Sequence, residues 1–198
     1  MRAFLALATA VRARPVRILD VGGNLAFWLA AEDLIGDLDL VVTIVNVVET
    51  EAQDIGRYSL RPGDARDLSQ FPDAAFDIVH SNSVIEHVGC WDCMQAFARE
   101  ARRLAPRHFI QTPNYWFPVE PHFRTPFYHW LPERLRAQLL IGRRLGFRGP
   151  APNLAAAIRL VKSVRLLDGK RFGALFPGSQ IRKERWLGLT KSLVAVQA

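Results

Sequence analysis

Short apolar runs alternate with amphipathic stretches over the first 112 residues of the chain. The run at residues 40–46 is almost continuously β-branched, which is typical of a strand buried on both faces. At residues 91–104 apolar side chains recur three and four positions apart, which predicts an amphipathic helix. The predicted strands are Arg17–Val21, Leu40–Asn46, Tyr58–Arg61, Phe76–His80 and His108–Thr112, and the predicted helices are Leu25–Glu32 and Trp91–Leu104. This alternation predicts a doubly wound parallel sheet of the α/β class.

The C-terminal pattern departs from this alternation. Two strands are predicted at Gln180–Trp186 and Ser192–Gln197, and the short segment between them cannot hold a crossover helix, so they must form an antiparallel hairpin. We therefore expect a Rossmann-like, seven-stranded, mostly parallel sheet in three α/β/α layers. Residues 1–198 form a single predicted domain, in which residues 113–176 are an insertion or cap between strands 5 and 6. Two cap helices are predicted, at Pro132–Leu140 and Leu154–Leu167.

Length and composition suit one globular domain. The chain has 198 residues and is 49% hydrophobic, and its apolar runs are far shorter than the ~20 residues that span a bilayer. Residues 1–10 resemble a signal peptide in having Arg2, an apolar stretch and an Ala-x-Ala ending, but a short docking helix is the favoured interpretation. The predicted location is therefore cytoplasmic.

Charge is distributed unevenly. Residues 1–100 carry a net charge of −7 and residues 101–198 carry +14. A basic half indicates an anionic partner, unless the arginines are a solvated surface. Zinc-finger spacing and RNA-binding aromatic patterns are absent from the sequence, so nucleic acid is not an expected partner. Peripheral membrane contact and the oligomeric state are left open.

The first strand leads into a glycine turn. It ends at Asp20, and Gly22 and Gly23 precede the first residues of a helix. A strand, an acid, a glycine turn and a helix in this order mark the ligand crevice at the carboxyl edge of a parallel sheet, although a tight turn without a ligand has the same pattern. The dinucleotide fingerprint fits less well, because Asn24 and Phe27 occupy its second and third glycine positions.

This stretch resembles motif I of the class I S-adenosylmethionine-dependent methyltransferases, with Asn24 and Ala26 in place of the later glycines. Two further phrases extend the resemblance. Gly63-Asp64-Ala65 is similar to the family's adenine-binding phrase, and residues 76–88 look like a phrase of the type 11 methyltransferases. The resemblance implies S-adenosyl-L-methionine as cofactor.

The resemblance also implies roles for individual residues around that cofactor. Asp20, Gly22 and Gly23 would hold its methionine part, with the Ser81–Asn82 turn beneath it. Asn46 stands where the family's ribose-binding acid is found, and Glu49 is a second candidate for that role. Asp64 would accept a hydrogen bond from the adenine amine, and the Ala65 backbone N–H would meet a ring nitrogen.

Three side chains are candidate catalytic residues. His87 opens a helix beside the expected cofactor, and Glu120 and His122 follow the fifth strand in a segment that resembles one from a type 11 subgroup. An oxygen nucleophile would need a general base from this set, whereas an amine or a carboxylate would need none. The alternatives are a packed structural histidine at position 87 and a proline-braced aromatic loop after the strand.

The two cysteines, Cys90 and Cys93, have C-x-x-C spacing. Such a pair can be a redox dithiol or half of a zinc site, to which His87 would add a third ligand. No second pair is present in the sequence, so both are interpreted as ordinary thiols and no metal site is predicted.

These observations together predict an enzyme that transfers a methyl group to a small-molecule acceptor of unknown identity, with an anionic acceptor indicated by the basic half. One alternative is a catalytically degenerate S-adenosylmethionine-binding or scaffold protein of the same fold, suggested by the missing glycines. A nucleotide-dependent oxidoreductase has a similar sheet, but the terminal hairpin and the Gly63-Asp64-Ala65 phrase argue against it.

Overall fold

The computed structural model describes residues 1–48 and 51–198. Its main sheet has eight strands: β1 (Val16–Val21), β2 (Leu40–Asn46), β3 (Gln53–Ile55), β4 (Tyr58–Pro62), β5 (Ile78–Asn82), β6 (Arg107–Pro113), β9 (Gln180–Trp186) and β10 (Leu189–Gln197). Their order across the sheet is β3-β4-β2-β1-β5-β6-β10-β9. A separate two-stranded ribbon pairs β7 (Val119–Glu120) with β8 (Thr125–Pro126).

The helices are α1 (Arg2–Thr9), α2 (Leu25–Leu29), α3 (Glu32–Ile35), α4 (Trp91–Leu104), α5 (Glu133–Leu140), α6 (Leu154–Lys162) and α7 (Gly169–Leu175). Two 3-10 turns cover Ile85–His87 and Tyr128–Trp130. The predicted helix Leu25–Glu32 is thus two short helices, and the second cap helix ends five residues earlier than predicted. No helix in the described ranges combines the length and the apolar character that a membrane crossing requires.

The doubly wound sheet with a C-terminal hairpin is confirmed. Strands β4, β2, β1, β5 and β6 run parallel, and β10 pairs antiparallel with both β6 and β9. The eighth strand is β3, an edge strand antiparallel to β4. It occupies the connection between β2 and β4, which is shorter than the dozen or more residues that a crossover helix between parallel strands needs.

Parallel pairing brings the ends of the central strands to one edge of the sheet. Val21 pairs with Val45, Asp20 pairs with His80, and Asn82 pairs with Gln111. The loops that follow β1, β2, β4, β5 and β6 therefore meet at that edge, which is where open α/β sheets bind their ligands.

Hydrophobic cores cover both faces of the sheet. On one face α4 and α7 bury Phe97, Leu104 and Phe172. On the other face α1 and α2 bury Phe4 and Trp28, which are both fully inaccessible to solvent. The burial of Phe4 confirms that the N-terminal segment docks as a short helix in this structure.

The segment 113–176 has a core of its own. Tyr128 and Leu140 are fully buried in a cluster that also includes Val161. At the C-terminal end of the segment, α7 packs into the main core instead. The division of the chain into a domain and a cap remains a prediction, but the part from Phe123 to Val161 is held together by contacts that the sheet does not share.

Candidate functional site

Packing explains both glycines in the turn after β1. Gly22 has a φ of +76°, and a Cβ there would lie 2.5 Å from the Val84 Cγ2 atom. A Cβ on Gly23 would lie 1.7 Å from Asp20 Oδ2. Larger residues at either position would clash, so the backbone here must approach its neighbours closely.

Asn24 explains why the later glycine of the family pattern is dispensable here. Its φ of −145° is ordinary extended backbone, and its Oδ1 accepts a 2.9 Å hydrogen bond from the Phe27 N–H. Asn24 is thus the N-cap of α2, a position for which asparagine is well suited. The departure from the family's glycine pattern therefore leaves the turn intact.

Asp20 lies beneath this turn and is only 1% exposed. Trp28 Nε1 donates to its Oδ2 at 2.7 Å, and His80 Nδ1 lies 2.7 Å from its Oδ1. Both carboxylate oxygens thus have buried partners. The sequence does not indicate these two contacts, because Trp28 and His80 fit the patterns of an ordinary helix and an ordinary strand. Direct contact of Asp20 with a cofactor stays a prediction.

A cavity of about 420 Å³ lies at the edge of the sheet where β1, β2, β4 and β5 end. Four of the predicted cofactor residues line it, namely Gly22, Asn46, Asp64 and Ala65. His87, a candidate catalytic residue, and Gly63 of the Gly63-Asp64-Ala65 phrase also line it. The lining residues given no role from sequence are Val45, Val47, Arg66, Ser83, Val84 and Val88. The valines fit the pattern of buried strand or helix residues, so nothing in the local sequence indicates that they line a cavity.

The other predicted cofactor residues lie near this cavity without lining it. Gly23 packs on Asp20. Ser81 is fully buried, and its hydroxyl donates to the Val21 carbonyl at 2.9 Å, which ties β5 to β1. Asn82 lines a neighbouring cavity. Their roles toward the cofactor remain predictions.

Asn46 braces the glycine turn from the end of β2. Its Nδ2 donates to the Gly23 carbonyl at 2.9 Å and to the Gly22 carbonyl at 3.3 Å, and its Oδ1 accepts from the Val48 N–H at 3.3 Å. One lone pair of Oδ1 is left to meet a ribose hydroxyl. The second ribose candidate, Glu49, lies outside the described residues.

Asp64 is paired with Arg66 at the far wall of the cavity. The carboxylate and guanidinium lie 2.5 Å apart, and the Arg66 N–H also donates to Asp64 Oδ1 at 2.9 Å. The hydrogen bond from the Arg66 side chain lowers the pKa of Asp64, which is therefore ionised at neutral pH. An ionised carboxylate is an acceptor, as an adenine amine requires.

The three predicted catalytic residues converge. The rings of His87 and His122 meet edge to face with their centroids 4.6 Å apart. Glu120 is 1% exposed, and its Oε1 lies 2.8 Å from His122 Nδ1. Its Oε2 accepts from the Phe123 N–H at 2.5 Å. Residues from the turn after β5 and from the segment after β6 thus form one cluster. The cluster lies beside the cavity, because His87 belongs to the cluster and also lines the cavity.

Glu86 also belongs to this cluster, although it was not among the candidate catalytic residues. It is 1% exposed, Thr112 Oγ1 donates to its Oε2 at 3.0 Å, and its Oε1 has no hydrogen-bond partner among the described residues. Burial raises the pKa of its carboxyl to about 7. The His122 Nε2 atom lies 3.9 Å from the unpartnered oxygen.

A second part of the segment 113–176, the loop after α6, also contacts the cluster. His87 Nδ1 lies 3.1 Å from the Ser163 carbonyl oxygen, and the Arg165 N–H donates to the Glu86 carbonyl at 2.8 Å. Partial desolvation of the ring lowers the pKa of His87. The loop after α6 therefore positions the same short turn that carries Glu86 and His87.

A second cavity of about 650 Å³ adjoins the first and shares Ser83 with it. Its walls include Trp186 and Phe117, and its cationic lining residues are Arg124, Arg185 and Lys191. None of the three forms an ion pair with a described carboxylate. Ser83 itself has a φ of +59°, an uncommon conformation for serine at the junction of two cavities.

The cysteines lie at the start of α4. Cys90 and Cys93 have their Sγ atoms 2.9 Å apart, and the Cys93 N–H donates to Cys90 Sγ at 3.4 Å. In the described part of the chain, the side chains grouped with His87 at metal-binding distance are Glu86 and His122, not the cysteines.

This sheet order, with its glycine turn under a cavity and its C-terminal hairpin, defines the class I methyltransferase fold. Residues 19–108 match the family described as "Methyltransferase domain", type 11. The match covers less than half of the chain; together with the fold it supports a class I S-adenosylmethionine-dependent methyltransferase with S-adenosylmethionine as cofactor.

Solved structures agree in fold. A methyltransferase from Methanosarcina mazei is 13% identical with a TM-score of 0.55, covering 96% of this chain and 94% of its own. A Burkholderia thailandensis 1,6-didemethyltoxoflavin N1-methyltransferase, with S-adenosylhomocysteine bound, is 18% identical with a TM-score of 0.56, covering 99% of this chain and 77% of its own.

A further structure, provisionally described as a zinc-dependent alcohol dehydrogenase from Rhodobacter sphaeroides, is 9% identical with a TM-score of 0.60, covering 99% of this chain and 88% of its own. At such identities these likenesses show the fold and do not transfer a substrate. A search of curated proteins found no match to the sequence.

Proposed function

We propose that this methyltransferase acts on a small anionic acceptor that carries an apolar or aromatic part. The observation that carries the proposal is the pair of adjoining cavities, one lined by the glycine turn and the other by unpaired cations and aromatic rings. The cofactor would occupy the first cavity and the acceptor the second, so that the methyl group is transferred near their shared residue, Ser83.

The cofactor pose rests on polar groups around the first cavity. Asp64 and the Ala65 N–H would hold adenine, Asn46 Oδ1 the ribose, and the backbone of the Gly22 turn the methionine part. Asp20 would act through Gly23, because its carboxylate is engaged with Trp28 and His80. Positive charge on the sulfonium disappears during transfer, so a site that excludes water favours the reaction.

The acceptor's charge would be matched by Arg124, Arg185 and Lys191. A carboxylate or phosphate beside an unpaired cation gains a charge-assisted hydrogen bond. Trp186 and Phe117, whose ring centroids are 6.3 Å apart, offer flat surfaces for an apolar part of the acceptor. If the nucleophile is a hydroxyl, His87 and His122, the latter braced by Glu120, would receive its proton.

A degenerate cofactor-binding protein is the alternative that the altered glycine motif suggested. The geometry gives it no support, because Asn24 caps α2 and the cavity above Gly22 is open. The nucleotide-dependent oxidoreductase is disfavoured by the family match at residues 19–108.

Calorimetric titration with S-adenosylhomocysteine tests the cofactor pose. Asp64→Ala is expected to weaken binding about tenfold, since a lost hydrogen bond to a charged group costs about 1.5 kcal/mol. Asp67→Ala, which removes an exposed carboxylate of the same turn that does not line the cavity, is the matched control and should bind normally. Equal affinities in the two variants would refute the adenine assignment.

The acceptor class is tested by measuring the release of S-adenosylhomocysteine with candidate acceptors. The probes are aromatic hydroxy acids, amino acids and the neutral methyl esters of both. We expect faster turnover of the acids than of their esters, and a loss of about tenfold in kcat/KM for the acids in Arg185→Gln or Lys191→Gln. Arg182→Gln is the control, because Arg182 lies on the same hairpin but does not line the cavity. Preference for the esters would contradict an anionic acceptor.

A further inference from the structure

Three metal-binding side chains meet beside the cofactor cavity. Glu86, His87 and His122 each offer one ligand atom, and these atoms lie within 4.8 Å of one another. Glu86 and His87 come from the turn after β5, whereas His122 comes from the segment after β6. Their convergence is therefore a property of the tertiary structure and not of a local sequence motif.

Each of these side chains is held from behind by a second group. A carbonyl oxygen can only accept, so His87 Nδ1, which lies 3.1 Å from the Ser163 oxygen, carries the proton and leaves Nε2 with its lone pair. Glu120 acts in the same way on His122 Nδ1 at 2.8 Å. Outer carboxylates and carbonyls that orient histidine ligands are characteristic of metal centres.

Glu86 supplies the third ligand and an independent indication of a missing partner. Thr112 Oγ1 holds its Oε2 at 3.0 Å, whereas its Oε1 is buried and has no partner in the described structure. An unpaired buried carboxylate oxygen is costly. A cation between Glu86 and the two imidazoles would remove that cost.

We propose that Glu86, His87 and His122 bind one divalent transition-metal ion. Two imidazoles and one carboxylate favour ions such as Zn²⁺, Mn²⁺, Fe²⁺ or Co²⁺ over Mg²⁺ and Ca²⁺, which prefer all-oxygen sites. Tetrahedral bonds of about 2.0–2.1 Å place ligand atoms about 3.4 Å apart, so binding requires the cluster to contract. His87 is exposed and His122 is half-buried, so we expect the contraction to come from these two side chains and not from the buried Glu86.

Three protein ligands leave coordination positions open for a ligand in the cavity that His87 lines. This consequence rests on the proposed function and replaces its proton transfer to histidine, because the ion would occupy the lone pairs of His87 and His122: a hydroxyl of the acceptor bound to the ion would lose its proton to solvent more readily. Its oxygen would then form the bond to the methyl carbon as the carbon–sulfur bond breaks, and S-adenosylhomocysteine would leave.

Calorimetric titration of chelator-treated, full-length protein with ZnCl₂ and CoCl₂ tests the site without any acceptor. One ion per chain is expected, with Co²⁺ absorption typical of nitrogen and oxygen ligands. Glu86→Gln and His122→Ala should abolish binding or weaken it more than 100-fold. Glu120→Gln, which alters the outer partner of His122 and leaves the three proposed ligands in place, should weaken it about 10–100-fold.

The double variant Cys90→Ser with Cys93→Ser is the matched control, because these thiols are the nearby alternative ligands. It should bind the ion like wild type. Failure of wild type to bind an ion, or loss of binding in the cysteine variant but not in Glu86→Gln, would overturn the proposal.

Titration of the same samples with S-adenosylhomocysteine separates this proposal from the proposed function. Unchanged cofactor affinity in Glu86→Gln shows that the variant is folded, so that its loss of the ion reports on the site. A wild type that binds the ion but not S-adenosylhomocysteine would contradict the proposed cofactor pose and leave the metal site standing.

Discussion

At the scale of single residues, Gly22 shows how two constraints meet at one position. It has a φ of +76°, and a Cβ would approach the Val84 side chain to 2.5 Å. Gly56 has a similar φ of +60°, but a Cβ there would meet no atom within 4 Å. Substituting each of these two glycines therefore separates the effect of backbone strain, which both positions share, from the effect of close packing, which occurs only at Gly22.

We expect Gly22→Ala to weaken S-adenosylhomocysteine binding more than tenfold, because Val84 lines the same cavity and must move. Gly56→Ala should cost about 1–2 kcal/mol of stability from backbone strain alone and leave affinity unchanged. Calorimetry and urea unfolding of both variants measure this. Equal affinity losses would show that the contact with Val84 is unimportant.

His108 is a buried titratable residue remote from the site. It is 2% exposed, and Ser179 Oγ lies 2.8 Å from its Nε2. Burial, followed by the charge of Arg102, lowers the pKa of His108 to about 4. The unfolded chain, with an ordinary histidine pKa near 6.5, therefore binds a proton between about pH 6.5 and 4 that the folded chain does not.

Stability should consequently fall as the pH is lowered through this interval, with about 3 kcal/mol attributable to His108. His108→Gln can keep a hydrogen bond to Ser179 but does not titrate, so its unfolding free energy should depend less on pH there. Urea unfolding at pH 7, 5.5 and 4.5 measures the difference. Parallel pH profiles for the two proteins would contradict this account.

At the scale of elements, α1 supports the glycine turn indirectly. The Phe4 ring contacts His80 and Trp28, with centroids 4.8 Å and 5.8 Å away. Those two residues hold the carboxylate of Asp20, which lies under Gly23. Helix α1 is thereby linked by packing to the glycine turn after β1.

Phe4→Ala should destabilise the protein by about 3–5 kcal/mol, the usual cost of emptying a buried aromatic position. Arg2→Ala changes an exposed residue of the same helix and should alter stability by less than about 0.5 kcal/mol. Chemical unfolding of the two variants tests whether α1 is an integral part of the core. Equally small effects would show that it is not.

At the scale of the whole molecule, the separate core of the segment 113–176 predicts two cooperative units. Leu140 is fully buried in that core, whereas Leu104 is fully buried between α4 and the sheet. Local opening follows the boundaries of such clusters.

Leu140→Ala should raise amide hydrogen exchange in residues 128–161 while leaving the central strands protected. Leu104→Ala should lower protection throughout, because it removes contacts from the core on which the whole sheet depends. Hydrogen-exchange mass spectrometry distinguishes the patterns. Uniform loss of protection in Leu140→Ala would mean that the segment and the sheet unfold together.

The sequence by itself predicted the parallel strands, the C-terminal hairpin and the longer helices. It did so because a strand or helix buried on one face or on two faces has a characteristic spacing of apolar residues along the chain. It also located the glycine turn after β1 and the Gly63-Asp64-Ala65 phrase, since backbone turns and polar strand ends are local features. His87, at the predicted start of a helix, and Glu120 and His122, in the segment after the fifth strand, were found as chemically suited side chains.

Only the tertiary structure decided how these residues are used. The partners of Asp20, the valines around the cavity and the edge strand β3 depend on contacts between distant segments. Glu86 reads in sequence as one polar residue at the start of a helix. It becomes a buried carboxylate, with one oxygen lacking a hydrogen-bond partner among the described residues, only because Thr112, His122 and the loop after α6 enclose it. The burial of a side chain and the meeting of side chains from distant segments depend on contacts throughout the fold, and therefore no local sequence pattern can encode them.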